Sequence, residues 1–408
     1  MATLATETTI DPFDVSRAEL YRDDVWQAPF RTLRAEAPLH RVEHSDYGPF
    51  WSVSTYKGIV EVESLPDLYS SEAGGITIAD FVEGRDVRMP MFIARDRPIH
   101  TAQRRTVAPA FTPSEMTRMS GDIRRRTQEV LDSLPWNERF DWVDVVSVEL
   151  TTQMLAILFD FPWEDRRKLT FWSDWAGDIE LVKTEAGRQE RLQHMFACGA
   201  YFQNLWNGKL GKEPTPDLIS MMIHSDAMSH MDPHEFIGNL ILLIVGGNDT
   251  TRNSMSALAY GLDLFPDSRA MLEGDPGLIP NATQEILRWQ TPLAHMRRTA
   301  TADTELMGQT IRAGDKLALW YISANRDETV FDDPDTIRVD RPNARRHLAF
   351  GHGIHRCVGA RLAELQIGIL LEEMAKRRMR VNVVGEPERV AACFVHGYRK
   401  LPVEISRY

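Results

Sequence analysis

One short stretch near the C-terminus, FGHGIHRCVG from Phe350 to Gly359, constrains this chain more than any other part of it. A single cysteine, Cys357, is enclosed by Gly353 four residues before it and Gly359 two after it, with Gly351 further upstream. Glycines let a backbone approach a flat surface closely and turn with positive φ. Phe350 can shield the sulfur from water, and His355 can offer a hydrogen bond to an anionic edge. Together these residues suit a loop that wraps a thiolate against a planar cofactor. Haem iron held by a cysteine thiolate is the arrangement that favours O–O cleavage. Two blander readings compete. A lone cysteine between glycines is often a buried, inert thiol. A zinc site could draw on His347, His352 and His355, but no second cysteine lies at a C-x₂₋₄-C spacing, the others being Cys198 and Cys393.

The rest of the chain narrows the setting. Its 408 residues can bury a large core. A formal charge of −12 leaves no broad basic excess for neutralising phosphates, which argues against a nucleic-acid partner. Three cysteines give no disulfide framework and fit a reducing cytosol. The opening MATLATETTIDPFDV has neither the basic flank nor the apolar core of a signal peptide. The longest apolar run, from Leu240 to Gly247, is too short to cross a bilayer. The expectation is a soluble, cytoplasmic protein without a membrane anchor.

Periodicity predicts a mainly α architecture with a smaller β-rich part, in one interlocked domain over residues 1–408. Alternation from about 40 to 70 predicts paired strands beside a short helix. Amphipathic helical patterns dominate from about 113 to 378. Asp232-Pro233 opens a long helix running to about Phe265, with Pro233 in its first turn. Asn281 is the expected N-cap of NATQEILRWQ. Strand-like pieces follow from His295, and the helix after Gly359 ends in Lys376, Arg377 and Arg378, which suit the negative pole of its dipole.

Inside the long helix, LLIVGGNDTTRNS sets Gly246 and Gly247 before a polar cluster, Asn248 to Thr251. Each glycine weakens a helix by about 1 kcal/mol relative to alanine. One reading is a small packing face with a solvated end. The other is a break that leaves a groove for dioxygen beside a metal. Splitting dioxygen consumes two protons, so a hydroxyl at Thr250 and an acid at Asp249 could hold a water and relay protons from solvent.

The cysteine loop resembles the haem-binding signature of the cytochrome P-450 superfamily, and two further motifs are similar to that family's. The GGNDT stretch resembles its [AG]-G-x-[DE]-T motif, and EILR, Glu285 to Arg288, resembles its E-x-x-R pair. The resemblance spans nearly the whole chain and implies the P-450 fold with a haem b cofactor. It makes Cys357 the axial iron ligand, gives proton management to Asp249 and Thr250, and sets Gly247, Phe350, Gly351, Gly353 and Gly359 against the ring. Glu285 and Arg288 would join a meander arginine, Arg341 or Arg338, in a buried network supporting the cysteine loop. Haem propionates would be met by the His100/Arg104 pair, by Arg298 (with Arg297 competing for the role) and by His355.

A monooxygenase needs two electrons per turnover, and no G-x-G-x-x-G on a βαβ unit or other flavin or nicotinamide segment is present. With no fused reductase, electrons would come from an external ferredoxin. It would dock by steering on Arg104, Arg105, Arg345, Arg346, Arg356 and Arg361. Several phrases look like the bacterial branch of alkane and fatty-acid terminal hydroxylases. From the motif positions, the apolar pocket would be lined by Ile76, Ile78, Met89, Met91, Phe92, Leu243, Gly246, Leu293, Met296, Phe394 and Val395. Arg85 or Arg88 could meet a fatty-acid carboxylate. A terpenoid or aromatic substrate, or a haem-binding protein without turnover, are the alternative readings.

Overall fold

The structure, a computed structural model, describes residues 11–408. Its organising element is the helix Pro233–Leu264. The Asp232 carboxylate accepts from the His234 and Glu235 amides at 2.9 and 3.1 Å, and Pro233 fills the first turn, where no amide donor is needed. Residues buried on every side of this helix make it a core helix rather than a surface one. The helices Glu149–Phe159, Arg167–Gly177, Glu185–Lys209 and Ile279–Gln290 pack around it. On the far side Ala360–Lys376 lies against Pro113–Asp132.

The β-rich part is one five-stranded sheet with small satellites. We label its strands β1 (Leu39–Val42), β2 (Phe50–Val53), β3 (Tyr69–Ser70), β4 (Met296–Ala300) and β5 (Lys316–Leu319). They lie in the order β1-β2-β5-β4-β3, with β2 and β5 parallel and the other pairs antiparallel. A helix, Tyr56–Glu63, follows β2 as expected. A second sheet joins Phe140–Asp141, Pro402–Arg407 and Met379–Val383. The architecture is mainly helical with a smaller β portion, interlocked because N-terminal and C-terminal strands share sheets with the middle of the chain.

Two local expectations are corrected. The helix carrying Glu285 and Arg288 begins at Ile279, with Leu278 at the cap position, so Asn281 lies inside its first turn. There its amide donates to the Val339 and Arg341 carbonyls at 2.8 and 3.0 Å, tying the helix to the meander. The central helix, moreover, runs unbroken through Gly246 and Gly247. Packing on all sides outweighs the two glycine penalties.

Candidate active site

A cavity lies between the central helix and the cysteine loop, with about 1410 Å³ of empty space, open solvent at its mouth included. The loop presents Cys357 at one wall. Its amide donates to the Phe350 carbonyl at 2.8 Å, closing the loop, while Gly351 and Gly353 adopt φ of 69° and 64°. Burial pushes the Cys357 thiol up. The Gly359 amide and the charges of Arg104 and Arg356 act in the opposite direction and favour a thiolate.

Opposite the sulfur stands the central helix. Gly246 is the open spot: a Cβ built there meets nothing within 4 Å, whereas one at Gly247 would sit 2.7 Å from Leu155 Cδ2. Gly247 is therefore small because the neighbouring helix crosses it, although it also borders the cavity. Thr250 is half-buried and faces the cavity, and its hydroxyl donates to the Gly246 carbonyl at 2.8 Å. This bond takes the place of the expected break.

Asp249 is absent from the cavity lining. It is buried on the far side, where it accepts from Ser173 Oγ at 2.9 Å, Arg252 Nη2 at 3.0 Å and Asn248 Nδ2 at 3.1 Å. A Cβ on Gly177 would fall 2.6 Å from Asp249 Oδ2, so that glycine makes the space. Arg252 continues outward to Asp174 at 2.7 Å, whose side chain is 53% exposed. Burial raises the Asp249 carboxyl above the usual aspartate range, and the Arg252 charge opposes this. The result is a carboxyl linked through one guanidinium to solvent.

The polar rim of the cavity is cationic and under-satisfied. The His100 and His355 rings pack at a tilt of 51° with centroids 4.2 Å apart, and both line the cavity. Neither nitrogen of buried His100 has a partner. His355 Nε2 pairs with Ser71 Oγ at 3.1 Å and leaves Nδ1 without one. Arg104 is half-buried beside them and donates to the Arg356 carbonyl. Arg298 is buried and borders the same space, whereas Arg297 turns away to Asp80 at 2.7 Å. Orphaned buried donors are rare unless a ligand answers them, and these ring the edge of a cavity floored by a cysteine. The residues fit a haem whose carboxylates meet this rim.

Behind the loop, Arg288 is fully buried and forms two hydrogen bonds of 2.8 Å to Glu285, from Nε to Oε2 and from Nη2 to Oε1. Arg341 Nε bonds both carboxylate oxygens, at 2.9 and 3.0 Å, so Arg341 completes the network by its side chain. Arg338 contributes only its amide, to Oε1 at 2.9 Å, and sends its guanidinium to Asp332.

Of the apolar pocket candidates, Phe92, Leu243, Gly246, Leu293 and Met296 line the cavity. Ile76, Ile78, Met89, Met91, Phe394 and Val395 do not. Ile78, Phe394 and Val395 pack into the cluster beneath the N-terminal segment, and Met89 packs against the helical core. The Ile76 and Ile78 carbonyls accept from the Arg297 amide and Lys316 Nζ, which turns this segment onto the sheet, and Met91 begins the turn Phe92–Ala94. Arg85 is held by Asp86 and Arg88 lies over Phe81, so neither points into the cavity. Spacing within a loop cannot tell which of its side chains faces inward. Residues that sequence alone did not single out, among them Ile93, Leu155, Leu158, Leu218, Leu242 and Glu63, form much of the wall. Arg252 was readable in principle, three residues after Asp249. Among the described residues no cluster of three metal-ligating side chains exists, and His347 is buried against Gln284 at 3.2 Å.

Comparison with known proteins agrees with this geometry. Residues 278–378 match the family model for Cytochrome P450. Linalool 8-monooxygenase from Pseudomonas putida is 35% identical over 402 residues, covering 96% of this chain and 98% of that one. Methyl-branched lipid omega-hydroxylase from Mycobacterium tuberculosis is 33% identical over 399 residues, covering 94% and 92%. The structure of CYP153D17 from Sphingomonas sp. PAMC 26605 superposes with a TM-score of 0.94 at 82% identity, covering 98% and 100%. A glycine-rich cysteine loop, an unbroken helix across the cavity from it and a buried Glu–Arg–Arg support thus stand in a chain alike over nearly its whole length to named monooxygenases, and this protein belongs to the cytochrome P450 family as a monooxygenase.

Proposed function

We propose that the protein is a haem b monooxygenase that hydroxylates the terminal carbon of medium-length alkanes or fatty acids, with electrons from an external ferredoxin. One observation carries the substrate reading. Above Gly246 the wall is built from aliphatic and aromatic side chains (Phe92, Ile93, Leu242, Leu243, Leu293, Met296), with no charged group among them. Such a wall solvates a hydrocarbon chain and offers a polar group nothing to bind. Attack on a terminal methyl, whose C–H bonds are stronger than internal ones, requires that only the chain end reach the reacting centre.

Cys357 would hold the iron through its sulfur, and His100, Arg104, Arg298 and His355 would hold the carboxylates. Bound there, haem supplies the redox chemistry that splits dioxygen and inserts one oxygen atom into a C–H bond. Thr250 keeps its hydroxyl lone pairs toward the cavity while donating to Gly246, so it can hold a water hydrogen beside the open glycine. Asp249 faces away from that water, and would take up protons from solvent near Asp174 and deliver them by turning its carboxyl from Arg252 toward the cavity. Leu155 and Leu243 exclude other water. Because proton supply runs through one buried carboxyl, its rate is limited, which favours productive use of oxygen over peroxide release.

For the donor, Arg105, Arg345, Arg346, Arg356 and Arg361 are exposed and form no salt bridge among the described residues. Unpaired arginines in a chain of charge −12 leave a local positive field for an acidic ferredoxin. Among the described residues no helix is long and apolar enough to cross a membrane, and we assign the enzyme to the cytoplasm.

The 35% identity to linalool 8-monooxygenase favours a second reading, a branched terpenoid alcohol as substrate. The reduced protein under carbon monoxide should show the strongly red-shifted absorption of thiolate-bound haem. With a ferredoxin and its reductase, a panel of alkanes, fatty acids and terpenes should then give terminal alcohols. Exclusive oxidation of terpenoids would establish the second reading, and exclusive oxidation of a bulky cyclic compound would remove the terminal-hydroxylase assignment.

A further inference from the structure

The helix Tyr56–Glu63 ends against the cysteine loop, and its last residue is a fully buried carboxylate at the cavity wall. Everything facing Glu63 is a donor. Arg298 Nη2 and the Tyr321 hydroxyl donate to Oε1 at 2.9 and 2.6 Å, and the His352 amide donates to Oε2 at 2.8 Å. Tyr321 keeps its proton because burial pushes its phenol well above the ordinary range, so it can only serve as donor here. The backbone of the same residue shapes the loop. A Cβ on Gly353 would fall 2.2 Å from the Glu63 carbonyl oxygen, so the glycine is required by this helix end rather than by a ring face. Gly353, correspondingly, does not line the cavity.

We propose that Glu63 is a positioning residue for the thiolate centre, fixing the Gly351–Gly353 turn and Arg298 together and setting a carboxylate beside the cofactor. This rests on the haem reading above. With three donors on two oxygens, Glu63 holds Arg298 in place by one edge, and Arg298 Nη1 is spent on the Arg297 carbonyl at 2.8 Å. The cation that borders the cavity is thus oriented before any carboxylate arrives, and its charge is largely offset. A buried anion at the cavity wall stabilises the more oxidised state of a bound iron and lowers its reduction potential. It also makes the loop stiffer than its glycines alone would allow.

The test uses the haem-loaded Glu63→Gln enzyme, which keeps the side-chain length and removes the charge. The reduced, carbon-monoxide-bound absorption should stay that of a thiolate complex, the reduction potential should shift to a more positive value, and haem transfer to a scavenging apoglobin should speed up about tenfold. Tyr321→Phe removes one donor but keeps the anion. It should accelerate haem loss less and shift the potential the opposite way, because the carboxylate becomes less neutralised. An unchanged potential in both variants, even with lowered thermal stability, would overturn the proposal and leave Glu63 a structural residue. Should Glu63→Gln fail to fold, the sign of the Tyr321→Phe shift decides. Absence of the thiolate spectrum from the parent would count against the haem reading instead.

Discussion

Replacing Glu285 by glutamine isolates the charge of the network behind the cysteine loop while keeping the shape of the side chain. In the parent, one carboxylate serves two guanidinium groups that are 0% and 1% exposed, together with the Arg338 amide. The variant strands two buried cations without an anion. It also turns an amide NH₂ toward Nε of either arginine, so at least one donor meets a donor. Breaking a buried pair by removing one partner costs about 3–5 kcal/mol. Three backbone carbonyls (Asn325, Pro334 and Thr336) still satisfy Arg288, which keeps the cost within that range rather than above it. For 408 residues at about 2.1 cal/mol/K each, the unfolding entropy is about 0.86 kcal/mol/K. The expected fall in melting temperature is therefore about 4–6 °C. Differential scanning calorimetry measures it directly, and haem content after size exclusion reports whether the loop still forms. A melting temperature within 1 °C of the parent, with full haem content, would refute the reasoning.

Gly353→Ala should cost about 1–2 kcal/mol for its positive φ, plus the clash with the Glu63 carbonyl, and should appear as lowered haem content with the central helix intact by circular dichroism. Thr250→Ala should preserve folding and haem binding but release peroxide in place of product; unchanged coupling of oxygen to product would remove Thr250 from proton handling. Reversing Arg345 and Arg361 to glutamate should raise the KM for an acidic ferredoxin about tenfold, some 1.4 kcal/mol, and flatten its salt dependence, while peroxide-driven turnover stays unchanged. Acid stability follows from His295, held neutral with its pKa lowered to about 4 by burial, and from His347 and His396, lowered to about 3 and about 4 for the same reason. Each binds a proton when unfolded near pH 6.5 but not when folded. Stability is thus fully present above about pH 6.5 and falls as the pH drops toward 4, each histidine adding up to about 1.4 kcal/mol per unit. His295→Gln, read by urea denaturation across this range, should flatten the slope by one proton.

Which parts of this molecule could be read without coordinates follows from how local each signal is. Cys357 and its glycines, Thr250, and the Glu285/Arg288 pair lie within single elements, so fixed spacing already brings each group together. Arg341 required long-range geometry, since Arg338 lies in the same run and both touch Glu285; what separates them is that one uses its side chain and the other its amide. The segment from 70 to 98 was legible only as a loop. Its neck is stapled by Ser70 and Ser71 to Asp96, and its first half is pinned at Asp80 by Arg297 and Lys316. Those distant partners turn Ile76 and Ile78 away from the cavity, and no periodicity within the loop records them. Asp249 shows the converse case. Its position next to Thr250 suggests a shared cavity, yet successive helical residues point about 100° apart, and Ser173, Gly177 and Arg252 supply a polar niche on the other side. Glu63 was the least legible of all. In VEVES, Glu61 and Glu63 stand two residues apart and so lie on opposite sides of the helix, but only the approach of Tyr321, Arg298 and the His352 amide from three remote segments makes Glu63 a buried anion. A buried charge whose partners all come from elsewhere leaves no trace in its own neighbourhood, so the residue that most closely couples helix, sheet and thiolate loop is the one that local pattern conceals.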